Sequence, residues 1–261
     1  MQHVSKGDHT SAAMVTFLPI IDLNPSDSHC IYSTLCFIDQ QAKQLNITNP
    51  CVTFDAPLWI KAVEILQATG MNKTMVCRLG GFHTMMSFLG SIGTLMAGSG
   101  LSDALEVCYG PNAVEHMMTG KAVSRAVRAH FMVDAALGRL LLRCLLSSDD
   151  DGDTQRDGML TTEQVNSVRT MFDISMSAGS LPCFEEESFL NLQTALNNLC
   201  DSLKHKSRTC KLWLQYLDYV NLLKIFIMAE RTGNWNLHLF AVKNMLNLFA
   251  ATGHNQYTNT S

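Results

Sequence analysis

Short apolar runs alternate with longer segments of helical periodicity through the first hundred residues of the chain. The runs rich in β-branched side chains predict strands at 14–21 (MVTFLPII), 51–54 and 75–79. Apolar positions recurring every three to four residues predict helices at 29–45, 57–68 and 84–95. Strand–helix–strand order is the pattern of α/β folds, so this part predicts a small, mainly parallel sheet of three strands.

The pattern changes near residue 100, where short β-branched runs give way to long segments with a 3.6-residue period. These segments predict helices at 101–109, 112–118, 120–146, 161–177, 185–203, 209–230 and 235–251. The predicted fold class is therefore α/β, with the three-strand sheet extended by a large all-helical region. The predicted divisions are a loose N-terminus (1–13), an α/β core (14–100), a helical region (101–146), an acidic loop (147–160) and a second helical region (161–261).

Composition narrows the classes of function. The 261 residues are 47% hydrophobic and 16% charged, which is typical of a globular chain and excludes an extended disordered one. The net charge of −4 argues against a protein that coats nucleic acid by bulk electrostatics, although a local basic face is compatible with it.

The cysteines and the hydropathy pattern indicate a compartment. Nine cysteines are an odd number and form no CxxC pair, which favours reduced thiols in an intracellular protein. No apolar run reaches the ~18 residues of a membrane span, and the N-terminal residues lack the apolar centre of a signal peptide. We therefore expect a nuclear or cytoplasmic protein without a membrane partner.

Two polar side chains follow the ends of predicted strands, where open α/β sheets place ligands. Asp55 comes directly after the strand at 51–54, and His83 follows Gly80-Gly81, a pair that permits a left-handed turn or a close backbone approach. A strand-end carboxylate can hold a divalent metal for phosphoryl chemistry. The alternative for both residues is a helix cap, Asp55 for the helix at 57–68 and His83 for the helix from 84.

The order of strand, Asp, helix, strand, Gly-Gly-Phe-His and helix, followed by a long helical region, resembles the RNase H-like core of transposon-encoded DDE transposases. The strings LGGFHTMMSFLGSIG, GKAVSRAVRAHF and AERTGNW resemble those of uncharacterised transposon-derived proteins. The resemblance covers residues 15–250 in outline. It implies an ancestral metal-dependent cleavage and strand transfer of DNA, with Mg²⁺ or Mn²⁺ as the cofactor of an active chain.

Three residues of this chain match positions of that pattern. Asp55 matches the second metal-binding Asp, Glu230 is the candidate for the final Glu, and His83 matches the histidine that opens the following helix. The resemblance implies that the strand carrying the first Asp would lie upstream of Met1, so we expect a truncated copy that is inactive as a nuclease. The competing hypothesis is a non-catalytic helical protein that retains only the fold and binds DNA, a protein partner or a second copy.

Glu230 has an unusual position on its predicted helix. It lies about 120° away from the polar face through Lys211, Gln215 and Asp218, at about 100° per residue. It also lies near the helix C-terminus, where a negative charge opposes the helix dipole. The alternative to a metal ligand is an exposed helix end before a cap at Gly233.

Five cations fall on one face of the predicted helix 120–146, and we call this set the cationic stripe: Lys121, Arg125, Arg128, Arg139 and Arg143. The stripe occupies a sector about 80° wide and about 33 Å long. A stripe of one sign and about the length of one turn of duplex DNA predicts contact with a phosphate backbone. The alternative is the solvated face of a core helix, built from long cations whose stems pack on apolar surface.

Overall fold

The computed structural model describes residues 15–17, 20–146, 161–177 and 187–253 of the chain. The helices within these residues are α1 Ser28–Gln44, α2 Ala56–Thr69, α3 Gly81–Leu95, α4 Leu101–Glu106, α5 Pro111–Met118, α6 Val123–Leu146, α7 Thr162–Ser177, α8 Glu187–Lys206, α9 Arg208–Thr232 and α10 Trp235–Ala251. The strands are β1 Cys51–Phe54 and β2 Val76–Leu79, and a 3-10 turn spans Met71–Lys73. The predicted acidic loop, 147–160, lies outside the described residues.

The two strands pair in parallel, with α2 as the crossover between them. Cys51 lies opposite Val76 and Phe54 lies opposite Leu79. The Gly80 amide then donates to the Phe54 carbonyl at 2.7 Å, which extends the pairing to the start of α3. A Cβ at Gly80 would lie 2.9 Å from that carbonyl oxygen. The position favours glycine because the two backbone segments approach each other so closely there.

The predicted three-strand RNase H-like sheet is wrong. The sheet has two strands, and 77% of the described residues are helical, so the architecture is mainly helical. Val15, Phe17 and Ile20 of the predicted first strand lie outside regular structure and are 76%, 93% and 96% exposed. Apolar content alone suggested a strand there, but Pro19 interrupts the run and has no N–H to donate to a sheet.

The predicted helices agree with the structure within a few residues at most ends, because capping residues stand where the apolar periodicity begins and ends. The Asp27 and Asn234 side chains accept hydrogen bonds from backbone N–H groups at the starts of α1 and α10. Gly233 ends α9 in the left-handed conformation, at φ 66°. No strand occurs in the described residues after 100, as the change of period predicted.

The apolar side chains form two clusters of unequal size. The smaller one joins α1 and α2 to the strand layer through Ile31, Leu35, Ala62, Leu66 and Met75. The larger one brings together α3, α4, α5, α6, α9 and α10, with α9 at its centre. Burial of Tyr216, Val220, Leu223 and Phe226 along α9 positions the end of that helix against the end of β2.

A buried polar pair lies inside the larger cluster. Nδ1 of His130, on α6, is 2.8 Å from the hydroxyl of Tyr216, on α9. Burial lowers the pKa of His130 from 6.5 to about 4 and raises the pKa of Tyr216. The imidazole is therefore neutral in the folded protein at neutral pH.

The free energy of unfolding is expected to decrease as the pH falls from about 6.5 to about 4. Over this interval the unfolded chain binds a proton at His130 that the folded chain excludes, and the pKa difference corresponds to about 3 kcal/mol. Urea unfolding at both ends of the interval measures the loss. His130→Gln lacks the titrating group, so its free energy of unfolding should decrease less over the same interval. An equal decrease in the variant and the wild type would show that His130 is not the source of the pH dependence.

Candidate functional site

Asp55 lies at the C-terminal end of β1 and caps α2. Its Oδ1 accepts a hydrogen bond from the Leu58 amide at 3.1 Å, and Pro57 occupies the first turn of the helix. This is the capping geometry that the sequence left open as the alternative. One carboxylate oxygen of Asp55 is thus already engaged by the fold.

His83 is an exposed residue in the first turn of α3. The N-cap of α3 is Gly80, so the alternative that His83 caps this helix is wrong. The His83 ring instead meets Phe82 edge-on, with the ring centroids 5.6 Å apart. Neither glycine of the pair has a positive φ. Gly80 is needed for its close approach to the Phe54 backbone, whereas a Cβ at Gly81 would meet the carboxylate of Glu230, which lies at the end of a side chain that can move.

Glu230 belongs to a polar cluster that joins β2 to α9 and α10. Its Oε1 accepts from Nη2 of Arg78 on β2 and lies 2.7 Å from Nδ1 of His238 on α10. Trp235 stacks on His238 with ring centroids 5.1 Å apart, and Arg78 Cζ lies 5.8 Å from the Trp235 ring. We call these four residues the Glu230 cluster. Because Arg78 and Glu230 are only about a quarter exposed, their ion pair is partly shielded from solvent.

The ionisation of His238 depends on its neighbours in this cluster. Burial lowers its pKa, and the Arg78 charge acts in the same direction, while the Glu230 charge and hydrogen bond raise it. The short contact requires Nδ1 to donate to Glu230, which a neutral imidazole can do from its Nδ1–H tautomer. His238 therefore joins Glu230 to α10 without needing a positive charge.

Two substitutions are expected to move the pKa of His238 in opposite directions. Arg78→Met removes the positive charge that lowers it and leaves Glu230, so the pKa should rise. Glu230→Gln removes the attraction that raises it and leaves burial and Arg78, so the pKa should fall further. An NMR titration of the His238 ring measures both shifts. Shifts of the same sign in the two variants would contradict this balance of charges.

These surroundings do not fit the metal site that the resemblance implies. Asp55 caps a helix, and Glu230 is neutralised by Arg78 and bonded to His238. Two-metal chemistry needs several free carboxylates that converge on both ions. In the part of the chain that the structure describes, no three His, Cys, Asp or Glu side chains are grouped to hold a metal ion.

The cationic stripe lies along α6, except that Lys121 precedes the helix. The predicted start of this helix at 120 was wrong, because Gly120 turns the chain in the left-handed conformation at φ 75°. The Lys121 amide donates to the His116 carbonyl at 2.9 Å, in the turn that follows α5. The four arginines remain in phase on α6 and extend from Arg125 to Arg143, a distance of about 27 Å along the axis.

All five residues of the stripe are exposed, and none of them forms an ion pair within the described ranges. Arg128 Nε donates to the Ser124 carbonyl at 3.2 Å, which holds that side chain along the helix. The single acidic residue of α6, Asp134, lies about 180° from Arg125 and pairs with Lys224 of α9. The exposed face of α6 thus carries positive charge without acidic neighbours on the same helix.

The Glu230 cluster contains residues that the sequence analysis did not select. Arg78 is the one charged residue of a four-residue strand, and its partner Glu230 is 152 positions away. Trp235 and His238 are three residues apart at the start of α10, a spacing that places them on one face of a helix. The charged residue within a short apolar strand and the pairing of Trp235 with His238 on one helix face are the two features of the sequence that could have indicated this cluster.

A comparison with protein families identifies the chain. The family described as "Domain of unknown function (DUF8702)" matches residues 1–261, so the chain belongs to this family. The comparisons with curated proteins and with solved structures gave no match. Among the helices of the described residues, none has the length and apolar character needed to cross a membrane.

Proposed function

We propose that this member of the family is a non-catalytic DNA-binding protein that contacts the phosphate backbone through the cationic stripe. The observation that carries the proposal is the exposure of four arginines along one face of α6 and of Lys121 just before it, with the acid of α6 on the opposite face. Exposed faces of stable helices usually mix both signs of charge, so a face of one sign suits an anionic partner. Descent from a transposon-encoded protein would account for the motif strings, but DNA binding does not depend on it.

The spacing of the arginines suits a helix that lies across the major groove. Arg125 and Arg128 form one pair near the start of α6, and Arg139 and Arg143 form a second pair near its end. Arg128 and Arg139 are about 16 Å apart along the axis, which exceeds the ~12 Å width of the major groove. Each pair can therefore contact the phosphates on one side of the groove.

The middle of the same face offers few groups that could read a base sequence. Met132, Ala135 and Ala136 are the exposed residues between the two arginine pairs, and their side chains carry no strong hydrogen-bond donor or acceptor. Sequence recognition in the major groove depends mainly on such groups. Binding is therefore expected to be independent of sequence, with micromolar or weaker affinity because the net charge of −4 opposes it.

Purified protein is expected not to nick supercoiled DNA in the presence of Mg²⁺ or Mn²⁺. The physical reason is that Asp55 caps a helix and Glu230 is held in an ion pair, and that no three possible ligands are grouped for a metal ion within the described residues. Agarose-gel conversion of plasmid to the open circle measures the activity. Asp55→Ala separates contamination from catalysis: nicking that this variant abolishes would show an active enzyme and contradict the proposal.

The direct test of DNA binding is fluorescence polarisation of a labelled duplex titrated with the full chain. Sequence-independent binding that weakens steeply with salt supports the proposal, because each neutralised phosphate releases a counterion. A matched duplex of different sequence should bind with the same affinity. Absence of binding at low salt would contradict the proposal.

A further inference from the structure

A groove of about 410 Å³ opens beside the N-terminal end of the cationic stripe. It lies between the first turn of α3, the start of α6 and the end of α9. Its walls are mainly apolar and include Met85, Val127 and Phe226. Its polar lining residues include Glu230 and Arg128, which is a member of the stripe.

We propose that this groove receives an unpaired nucleobase from a DNA strand whose phosphates lie on the cationic stripe. The proposal rests on the proposed function and names a further site for the same ligand. The volume falls within the range of pockets that bind small molecules. Because Arg128 belongs to both the groove and the stripe, a strand held on the stripe brings its next base to the mouth of the groove.

Phe82 is the residue that favours a base as the occupant. Its side chain lines the groove and is 58% exposed, which is unusual for a phenylalanine in the first turn of a helix. Every nucleobase has a π-face, and stacking on an exposed aromatic ring is the main way in which proteins hold unpaired bases without reading their sequence. The His83 ring is nearly perpendicular to the Phe82 ring, so the two rings are not stacked on each other.

The charges around the groove also suit a nucleotide. Glu230 contributes a negative charge, but Arg78 pairs with it, so the two cancel. Arg128 lines the groove as well and contributes a positive charge. A base attached to a phosphate therefore finds an apolar slot for the ring and the Arg128 charge for the anion, whereas an acidic or purely apolar ligand would match only one of the two.

Binding of a blunt duplex and of the same duplex with a short single-stranded overhang tests the inference in the full chain. The overhang should strengthen binding by wild-type protein, and Phe82→Ala should remove the gain, about 5- to 150-fold, while leaving blunt-duplex binding unchanged. Phe82→Trp should restore the gain, since it keeps a stacking surface. Phe240→Ala is the matched control, because Phe240 is 54% exposed and lies on α10, outside the groove.

The outcomes separate this inference from the proposed function. Blunt-duplex binding with no gain from the overhang, or a Phe82→Ala effect no larger than that of Phe240→Ala, would overturn the groove and leave DNA binding by the stripe in place. Absence of binding to both DNAs would overturn the two together. Thermal unfolding followed by circular dichroism verifies that each variant is folded, which the exposure of both phenylalanines favours.

Discussion

Replacing Gly120 with alanine is expected to prevent stable folding, with a loss of more than about 4 kcal/mol. Gly120 has φ 75°, and a Cβ there would overlap the Met86 carbonyl oxygen and lie 3.1 Å from the Gly90 amide nitrogen. Both atoms belong to the backbone of α3, so no side chain can move aside to relieve the overlap. Soluble yield and urea unfolding measure the effect.

Gly70→Ala is the matched control for this prediction. Gly70 also has φ 75°, but a Cβ there would meet nothing within 4 Å. The cost should therefore be that of the left-handed conformation alone, about 1 kcal/mol. Equal losses in the two variants would contradict the close contact between α3 and the turn that leads into α6.

Replacing Arg125 and Arg128 together with alanine is expected to weaken duplex binding on the order of 50-fold at about 0.1 M salt. Each arginine that neutralises a phosphate contributes through counterion release, so the loss of two contacts acts on every DNA sequence equally. Both residues are exposed, and the core face of α6 is unchanged. Polarisation titrations with two duplexes of different sequence measure the loss.

A double variant with the same change of charge elsewhere provides the control. Lys73→Ala with Lys243→Ala removes two exposed cations, one from the 3-10 turn and one from α10. If the stripe is the binding surface, this control should bind DNA nearly as wild type does. An equal loss in both double variants would show that net charge, and not the stripe, governs binding.

The helices of this protein were predictable, because periodicity and local capping residues determine where they begin and end. Asp27 and Asn234 cap helices whose apolar spacing the sequence already showed. The short parallel strands at Cys51–Phe54 and Val76–Leu79 were also predictable from local sequence, since each is an apolar run between turn signals. The failed strand shows the limit: a strand needs a neighbour to pair with, and composition does not supply one.

The candidate site was less predictable than the fold, because its contacts join distant parts of the chain. The position of Glu230 on its helix indicated an unusual environment, but its partners Arg78 and His238 come from β2 and α10. Nothing local distinguishes a carboxylate that binds a metal from one that pairs with an arginine 152 positions away. Exposure of the stripe was easier to predict, because all but one of its residues share a single helix.

The salt dependence of duplex binding tests the central claim most directly. If three to five phosphates are neutralised by the stripe, a plot of log binding constant against log salt concentration has a slope of about −3 to −4.5. The Arg125→Ala and Arg128→Ala double variant should give a slope flatter by about 2, since each lost contact removes about 0.9. A wild-type slope shallower than about −1, or an unchanged slope in the double variant, would contradict DNA binding through the cationic stripe.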